Sequence, residues 1–125
     1  MVDLKLVDNG LEYYNYIYQL RVSPLTKDGW VSEEYIPWSD HKKFMDDHID
    51  DYYVCLCDGE RAGFIGVVDG DIRVCTDPHQ QRKGIGFFML NEVSKMYPNA
   101  TAQVKKDNLP SIALFEKSGV KFELL

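Results

Sequence analysis

At 125 residues the chain is sized for one domain, residues 1–125, with a single layered core and no room for a separate substrate domain. Its net charge of -6 argues against a nucleic-acid backbone as the main partner, which would require a broad basic face, and a hydrophobic content of 45% excludes wholesale disorder. The first residues lack a charged-then-apolar signal pattern, and the longest apolar run, residues 62–68, is too short to cross a bilayer, so a cytoplasmic protein with no membrane partner is expected.

Taken in order, residues 3–7 alternate apolar and polar and stop at Asn9-Gly10, which predicts a first strand. Residues 11–21 carry Leu11, Tyr14, Ile17 and Arg21 at helical spacing, an amphipathic helix rich in tyrosine. Residues 22–39 scatter Pro24, Gly29, Trp30, Pro37 and Trp38 among polar residues; this is a long irregular passage of the kind that often carries function. Ser39 or Asp40 is the expected cap of a short helix over residues 41–49. Asp46, Asp47, Asp50 and Asp51 at its end fit either a solvated helix terminus or a seat for a cationic amine.

Three β-rich segments follow, Tyr52–Cys57, 62–68 and Asp71–Thr76, separated by hairpin signals at residues 58–61 and Asp69-Gly70, which predicts an antiparallel meander. Residues 84–97 have helical periodicity and end at Pro98-Asn99, after which Thr101–Val104 returns as a strand. Strand, helix and strand in that order imply a right-handed crossover and a parallel pair. A last helix over residues 110–118, with Gly119 just past its end, leads into a final strand at residues 120–125. The expected fold is α/β (α+β), a mixed and mostly antiparallel sheet flanked by helices.

The stretch 76–86, Thr-Asp-Pro-His-Gln-Gln-Arg-Lys-Gly-Ile-Gly, joins the third β segment to the central helix. Backbone N–H groups at a helix start lack intrahelical partners, and the helix dipole adds positive potential, so this junction is an anion site. Gly84 and Gly86 are expected to keep Cβ atoms out of a phosphate's way, with Arg82 and Lys83 adding charge at the rim. The same glycines could instead serve a tight turn alone. A second ordered element lies at residues 108–120, Asn-Leu-Pro-Ser-Ile-Ala-Leu-Phe-Glu-Lys-Ser-Gly-Val.

Together the two elements resemble the GNAT superfamily of acetyl-CoA-dependent N-acetyltransferases, with Gln81, Gly84 and Gly86 matching one signature and Asn108, Ser111, Leu114, Lys117 and Gly119 the other. The resemblance runs from about Tyr52 to the end. It implies a pair of parallel strands that splay apart, with the cofactor arm lying in the gap. It also implies that the backbone of Val74, Cys75 and Thr76 pairs with the pantetheine, that Gln81, Arg82, Lys83, Gly84, Ile85 and Gly86 cradle the pyrophosphate, and that Asn108 contacts the arm, unless Asn108 is simply a helix cap. The chain stops where many relatives have a further strand or two, so a homodimer formed by edge pairing is expected.

The catalytic groups depart from that pattern. The position that often holds a proton-donating tyrosine is Phe115, and the one that often holds a glutamate base is Gln103; neither can exchange a proton. His41, His48 and His79 are the remaining candidate bases, with Glu33, Glu34 and Asp71 behind them, and His41, at the start of a helix beside the long irregular passage, is the preferred one. Cys75 as a nucleophile is disfavoured, because buried strand thiols are inert. Without a dedicated base, deprotonating an amine of pKa about 10.4 costs roughly 4 to 5 kcal/mol at pH 7, against about 1 for an α-amine. The expected function is acetyl transfer from acetyl-CoA to a primary amine of low pKa, such as an amino sugar or a protein N-terminus, by direct attack in a ternary complex. The alternative, which Gln103 and Phe115 favour, is a catalytically degenerate domain that binds coenzyme A as a sensor or a complex subunit.

Three cysteines, Cys55, Cys57 and Cys75, fall on apolar strand-like segments, as reduced core thiols do. Joining them with His79 gives none of the paired spacing typical of zinc, so no metal is expected.

Overall fold

The computed structural model describes residues 2–26, 30 and 35–125. Six strands form one sheet in the sequential order β1 to β6: β1 Leu4–Asp8, β2 Tyr52–Cys57, β3 Glu60–Val68, β4 Asp71–Thr76, β5 Thr101–Val104 and β6 Phe122–Leu124. Helices α1 (Leu11–Val22), α2 (Trp38–Asp47), α3 (Ile85–Met96) and α4 (Leu109–Ser118) pack on its two faces. The first four strands are antiparallel neighbours, and β4–β5 and β5–β6 are parallel, as the strand–helix–strand pattern predicts.

Both hairpins of the meander turn on Asp-Gly pairs with left-handed backbone: Asp58 and Gly59 at φ 51° and 84°, Asp69 and Gly70 at 52° and 78°. Two consecutive positive φ values define the turn whose twist matches that of the flanking strands. β3 is longer than expected because pairing extends down to Glu60 opposite Cys57, past a bulge between Cys55 and Leu56.

Alternation along the strands separates two apolar layers. Cys55, Cys57, Ile65, Val67, Ile72, Ala102 and Val104 meet Ile85, Met89, Leu90 and Val93 of α3 and Phe115 of α4. Val54, Phe64, Val68 and Cys75 meet Tyr14, Ile17 and Leu20 of α1 and Met45 of α2. The three thiols therefore lie on opposite faces of the sheet, and no group of metal-binding side chains occurs among the described residues. No described helix is long and apolar enough to cross a membrane.

Three local expectations change. Leu11, expected on the apolar stripe of its helix, is exposed because it is the first residue of α1, and Met96, the last residue of α3, is exposed likewise. α2 starts at Trp38 with Pro37 as its cap rather than Ser39 or Asp40. Pro37 holds the extended backbone that an N-cap needs, and its carbonyl accepts from the N–H groups of Asp40 and His41. The acidic cluster is a solvated surface: Asp46 and Asp47 pair with Lys42 and Lys43 at 2.8 Å, and Asp51 lies 2.9 Å from His48. None of the four aspartates borders the cavities described next.

Candidate active site

β4 and β5 pair only at Asp71↔Thr101 and Ile72↔Ala102. Beyond that point both strands continue unpaired to one another, to Thr76 and Val104. An interior sheet position with free ladder groups on both sides of a gap calls for another extended chain, since buried peptide groups are otherwise satisfied.

Two cavities open at this gap. One, of about 600 Å³, is bounded by Ile72, Arg73 and Val74 of β4, by Ala102, Gln103 and Val104 of β5, and on the other side by Arg21, Asp40, His41 and Phe44 of α1 and α2. The second, of about 490 Å³, is bounded by Val74, Cys75, Thr76, Gln81, Asn108, Pro110 and Leu114. Among the described residues, Trp30, Val74, Asn108 and Ser111 border both.

Of the residues singled out from sequence, Val74, Cys75, Thr76, Gln81 and Asn108 line the second cavity. Asn108 is also the N-cap of α4, its Oδ1 accepting from the Ser111 N–H at 3.3 Å, so cap and cavity wall coincide in one residue. Arg82 and Lys83 stay on the exposed loop, with Lys83 Nζ donating to Gln80 Oε1 at 2.7 Å. The side chain of Ile85 is core, so only its backbone faces the α3 start.

The two glycines differ in their surroundings. Gly84, at φ 72°, is the left-handed residue capping α3, and a Cβ there would touch nothing within 4 Å but would be conformationally strained. Gly86 lies on the first turn of α3 and is packed: a Cβ would stand 2.9 Å from Leu114 Cδ2 and 3.3 Å from Thr76 Oγ1. Gly84 shapes the turn into α3 and Gly86 lets α3 approach α4 and β4. The unpaired β4 edge, the left-handed turn and the first amides of α3 form a donor set that fits a pantetheine arm ending in phosphates.

His41 borders the larger cavity and is buried. Its Nε2 donates to the Tyr14 carbonyl at 2.9 Å, which leaves Nδ1 with the lone pair in the neutral ring. Burial pushes its pKa below the ordinary histidine value, the Tyr14 hydrogen bond opposing that in part. His48 is tied to Asp51, and His79 lies in the Pro78–Gln80 turn, outside both cavities. Glu33 and Glu34 lie outside the described residues. Cys75 is raised to about 12 by burial, with the Asp77 carboxylate adding to it, which suits an inert thiol.

Sequence reasoning passed over Arg73. Its guanidinium lies 5.4 Å from the Phe44 ring centroid and donates weakly to Tyr52 Oη and Asp71 Oδ2, both at 3.5 Å. Arg21 joins it across the cavity, stacked 4.6 Å over Trp30. In the sequence Asp71 and Arg73 only alternate with Ile72 and Val74, as on any half-exposed strand, and nothing there marks Arg73 as lining a cavity.

A splayed parallel pair in a mixed sheet, with a glycine turn feeding the helix beside it, is the arrangement that the resemblance to acyl-coenzyme A-dependent transferases implies. Residues 14–120 match the sequence model of the Acetyltransferase (GNAT) family, and the chain belongs to it. It is an N-acetyltransferase whose acyl donor is acetyl-CoA. Spermidine N(1)-acetyltransferase of Escherichia coli K12 is 27% identical over 134 residues, covering 90% of this chain and 69% of that protein. The spermidine N-acetyltransferase of Vibrio cholerae in complex with CoA and spermine superposes with a TM-score of 0.79 at 17% identity, over 93% of this chain and 79% of that one. An acetyltransferase from Salmonella typhimurium that modifies the N-terminal serine of ribosomal protein L7/L12 gives a TM-score of 0.71 at 17% identity, over 92% and 78%.

Proposed function

We propose that residues 1–125 act as one domain that acetylates a single primary amine of low pKa, held in the larger cavity, by direct attack on acetyl-CoA bound along β4. The observation that carries this reading is the end of β4–β5 pairing at Ile72↔Ala102, with one cavity on each side of Val74. Acetyl-CoA supplies an activated acyl group. Val74, Cys75 and Thr76 offer backbone groups to its arm, residues 81–86 offer the turn and helix start to its phosphates, and Asn108 borders both partners. His41 accepts the amine proton on Nδ1, its low basicity keeping the ring neutral near pH 7.

The charges in the larger cavity bear on the acceptor. Arg21 and Arg73 oppose a polycation, whereas an amine on an amino sugar or a protein N-terminus meets no such repulsion and costs only about 1 kcal/mol to deprotonate if its pKa is near 7.7. A polyamine acceptor is the second reading, favoured by Asp40 and Asp71 in the same cavity and by the spermidine-acetylating relative. A homodimer paired through β6, an edge of the sheet, completes the proposal. A monomeric mass in solution at micromolar concentration would remove it.

The test is calorimetric titration with acetyl-CoA, followed by thiol release in the presence of amino sugars, N-terminal peptides, spermidine and lysine. Turnover on an amino sugar or N-terminal peptide is expected. Turnover on spermidine alone would overturn the low-pKa reading, and binding without turnover on any amine would favour a coenzyme A-binding module.

A further inference from the structure

The larger cavity brings together more than His41 and the strand ends. Four aromatic rings along its wall meet in series: Trp30 stacks on Phe64 with centroids 6.0 Å apart, Phe64 meets Tyr52 at 6.1 Å, and Tyr52 meets Phe44 at 6.1 Å. An arginine lies at each end of that row, Arg21 4.6 Å over Trp30 and Arg73 5.4 Å over Phe44. Elements far apart in the chain, α1 and β4, thus bring two half-buried cations to one cavity. Burial holds the Arg21 guanidinium below its ordinary value, and the charge of Arg73 pushes the same way. Two like charges partly withdrawn from water favour an anion between them.

The wall also has donors to receive one. A guanidinium carries five N–H groups, and the hydrogen bonds of Arg73 use two of them, Nε to Asp71 Oδ2 and Nη1 to Tyr52 Oη, both long at 3.5 Å. Tyr52 Oη accepts there, so its own O–H is left to donate. The Trp30 Nε1–H is buried without a partner among the described residues. On the acid side the cavity has Asp71, already engaged by Arg73 through that long contact, and Asp40, exposed in the first turn of α2. Phe44 follows His41 by three residues on α2, so the Arg73 end of the row lies about one helical turn, roughly 5 Å, along from the base. An anion there and an amine at His41 stand a few bonds apart.

Building on the acetyl transfer proposed above, we infer that Arg21 and Arg73 determine specificity by seating an oxyanion, a carboxylate or a phosphate, that the acceptor carries a few bonds from its amine. A guanidinium backed by a ring presents its N–H edge to two oxygens at once, and Tyr52 adds a third donor. A plain polyamine has nothing to place in that seat. An amino sugar bearing a phosphate fills it, and so does a peptide N-terminus followed by an acidic residue.

The experiment measures kcat/KM of the full chain on two matched pairs: glucosamine against glucosamine 6-phosphate, and N-terminal peptides that differ only in glutamine or glutamate at their second residue. In one pair the anionic member should be preferred by about 10- to 100-fold, the scale of one charge-assisted hydrogen bond, and the pair that shows this identifies the source of the oxyanion. Arg21→Met and Arg73→Met should each reduce that preference several-fold. Equal rates within both pairs overturn the inference on the wild type alone, and so does a preference that survives both methionine variants. Turnover without preference leaves the transfer reading standing, whereas wild type that releases no thiol with any amine sinks that reading and the oxyanion seat with it.

Discussion

The two cavities that meet at Val74 are built by different means. The one along β4 is bounded by the strand edge at Val74, Cys75 and Thr76, by Gln81 and by the start of α4 around Asn108, with the left-handed turn at Gly84 leading into α3 outside its lining. The one beneath α1 and α2 is made of side chains from distant elements, among them Arg21, His41, Arg73 and Gln103. A ligand shared by a whole family can be held by groups every residue possesses, whereas a particular acceptor must be chosen by side chains. Breaking the first should abolish donor binding, and altering the second should change which amine is used and how fast.

The largest effect is expected from Gly84→Val. A β-branched residue at φ 72° costs about 1 to 3 kcal/mol, so acetyl-CoA affinity should fall by up to roughly 100-fold in a calorimetric titration. Gly86→Val sharpens the contrast, since its clash with Leu114 and Thr76 is a packing fault costing about 1 to 3 kcal/mol of stability, read as a lower Tm. Donor affinity measured well below that Tm should change less than with Gly84→Val.

His41→Gln should lower kcat/KM by about 100-fold while acetyl-CoA affinity holds, because glutamine can still donate to Tyr14 but cannot take a proton. In the wild type the acidic limb of the rate profile should lie below the ordinary histidine value, and in the variant that limb should vanish. Stability follows the same group. Folded His41 binds a proton less readily than the unfolded chain does, so stability falls as pH drops below about 6.5 and continues to fall until the folded ring itself titrates. Urea midpoints across pH 5 to 7 should show that slope weakened in His41→Gln.

Arg73→Met should lower the KM for spermidine by several-fold, since one of the two cavity cations that oppose a polycation is gone, with acetyl-CoA affinity unchanged. A change in donor affinity instead would erase the division between the cavities. At the small end, Asp47→Asn should leave turnover and Tm where they are, since its pair with Lys43 is exposed and remote from both cavities.

The order of elements was readable from the chain because local rules set it. Asp58-Gly59 and Asp69-Gly70 select hairpins whatever surrounds them, and Asn108 with Pro110 and Gly119 brackets α4 by capping chemistry alone. The strand-to-helix junction at residues 76–86 was readable for the same reason, being contiguous in the chain. The α2 cap was misplaced because the helix starts at Trp38, directly after the extended Pro37, which leaves Ser39 and Asp40 inside its first turn. Arg73 was passed over because its meaning depends on β4 being interior, with α1 and α2 covering its face.

Sequence alone thus determined the strand and helix order, the turn at Gly84 and the membership of the family, all consequences of short-range sterics and hydrogen bonding. Only the tertiary structure decided that β4 and β5 part after Ile72, that His41 is buried with Nε2 committed to Tyr14, and that Ser111 borders both cavities. Those facts depend on how helices from both ends of the chain settle on one sheet, and the apolar contacts that place them are non-directional, so only the assembled packing assigns each side chain its neighbours.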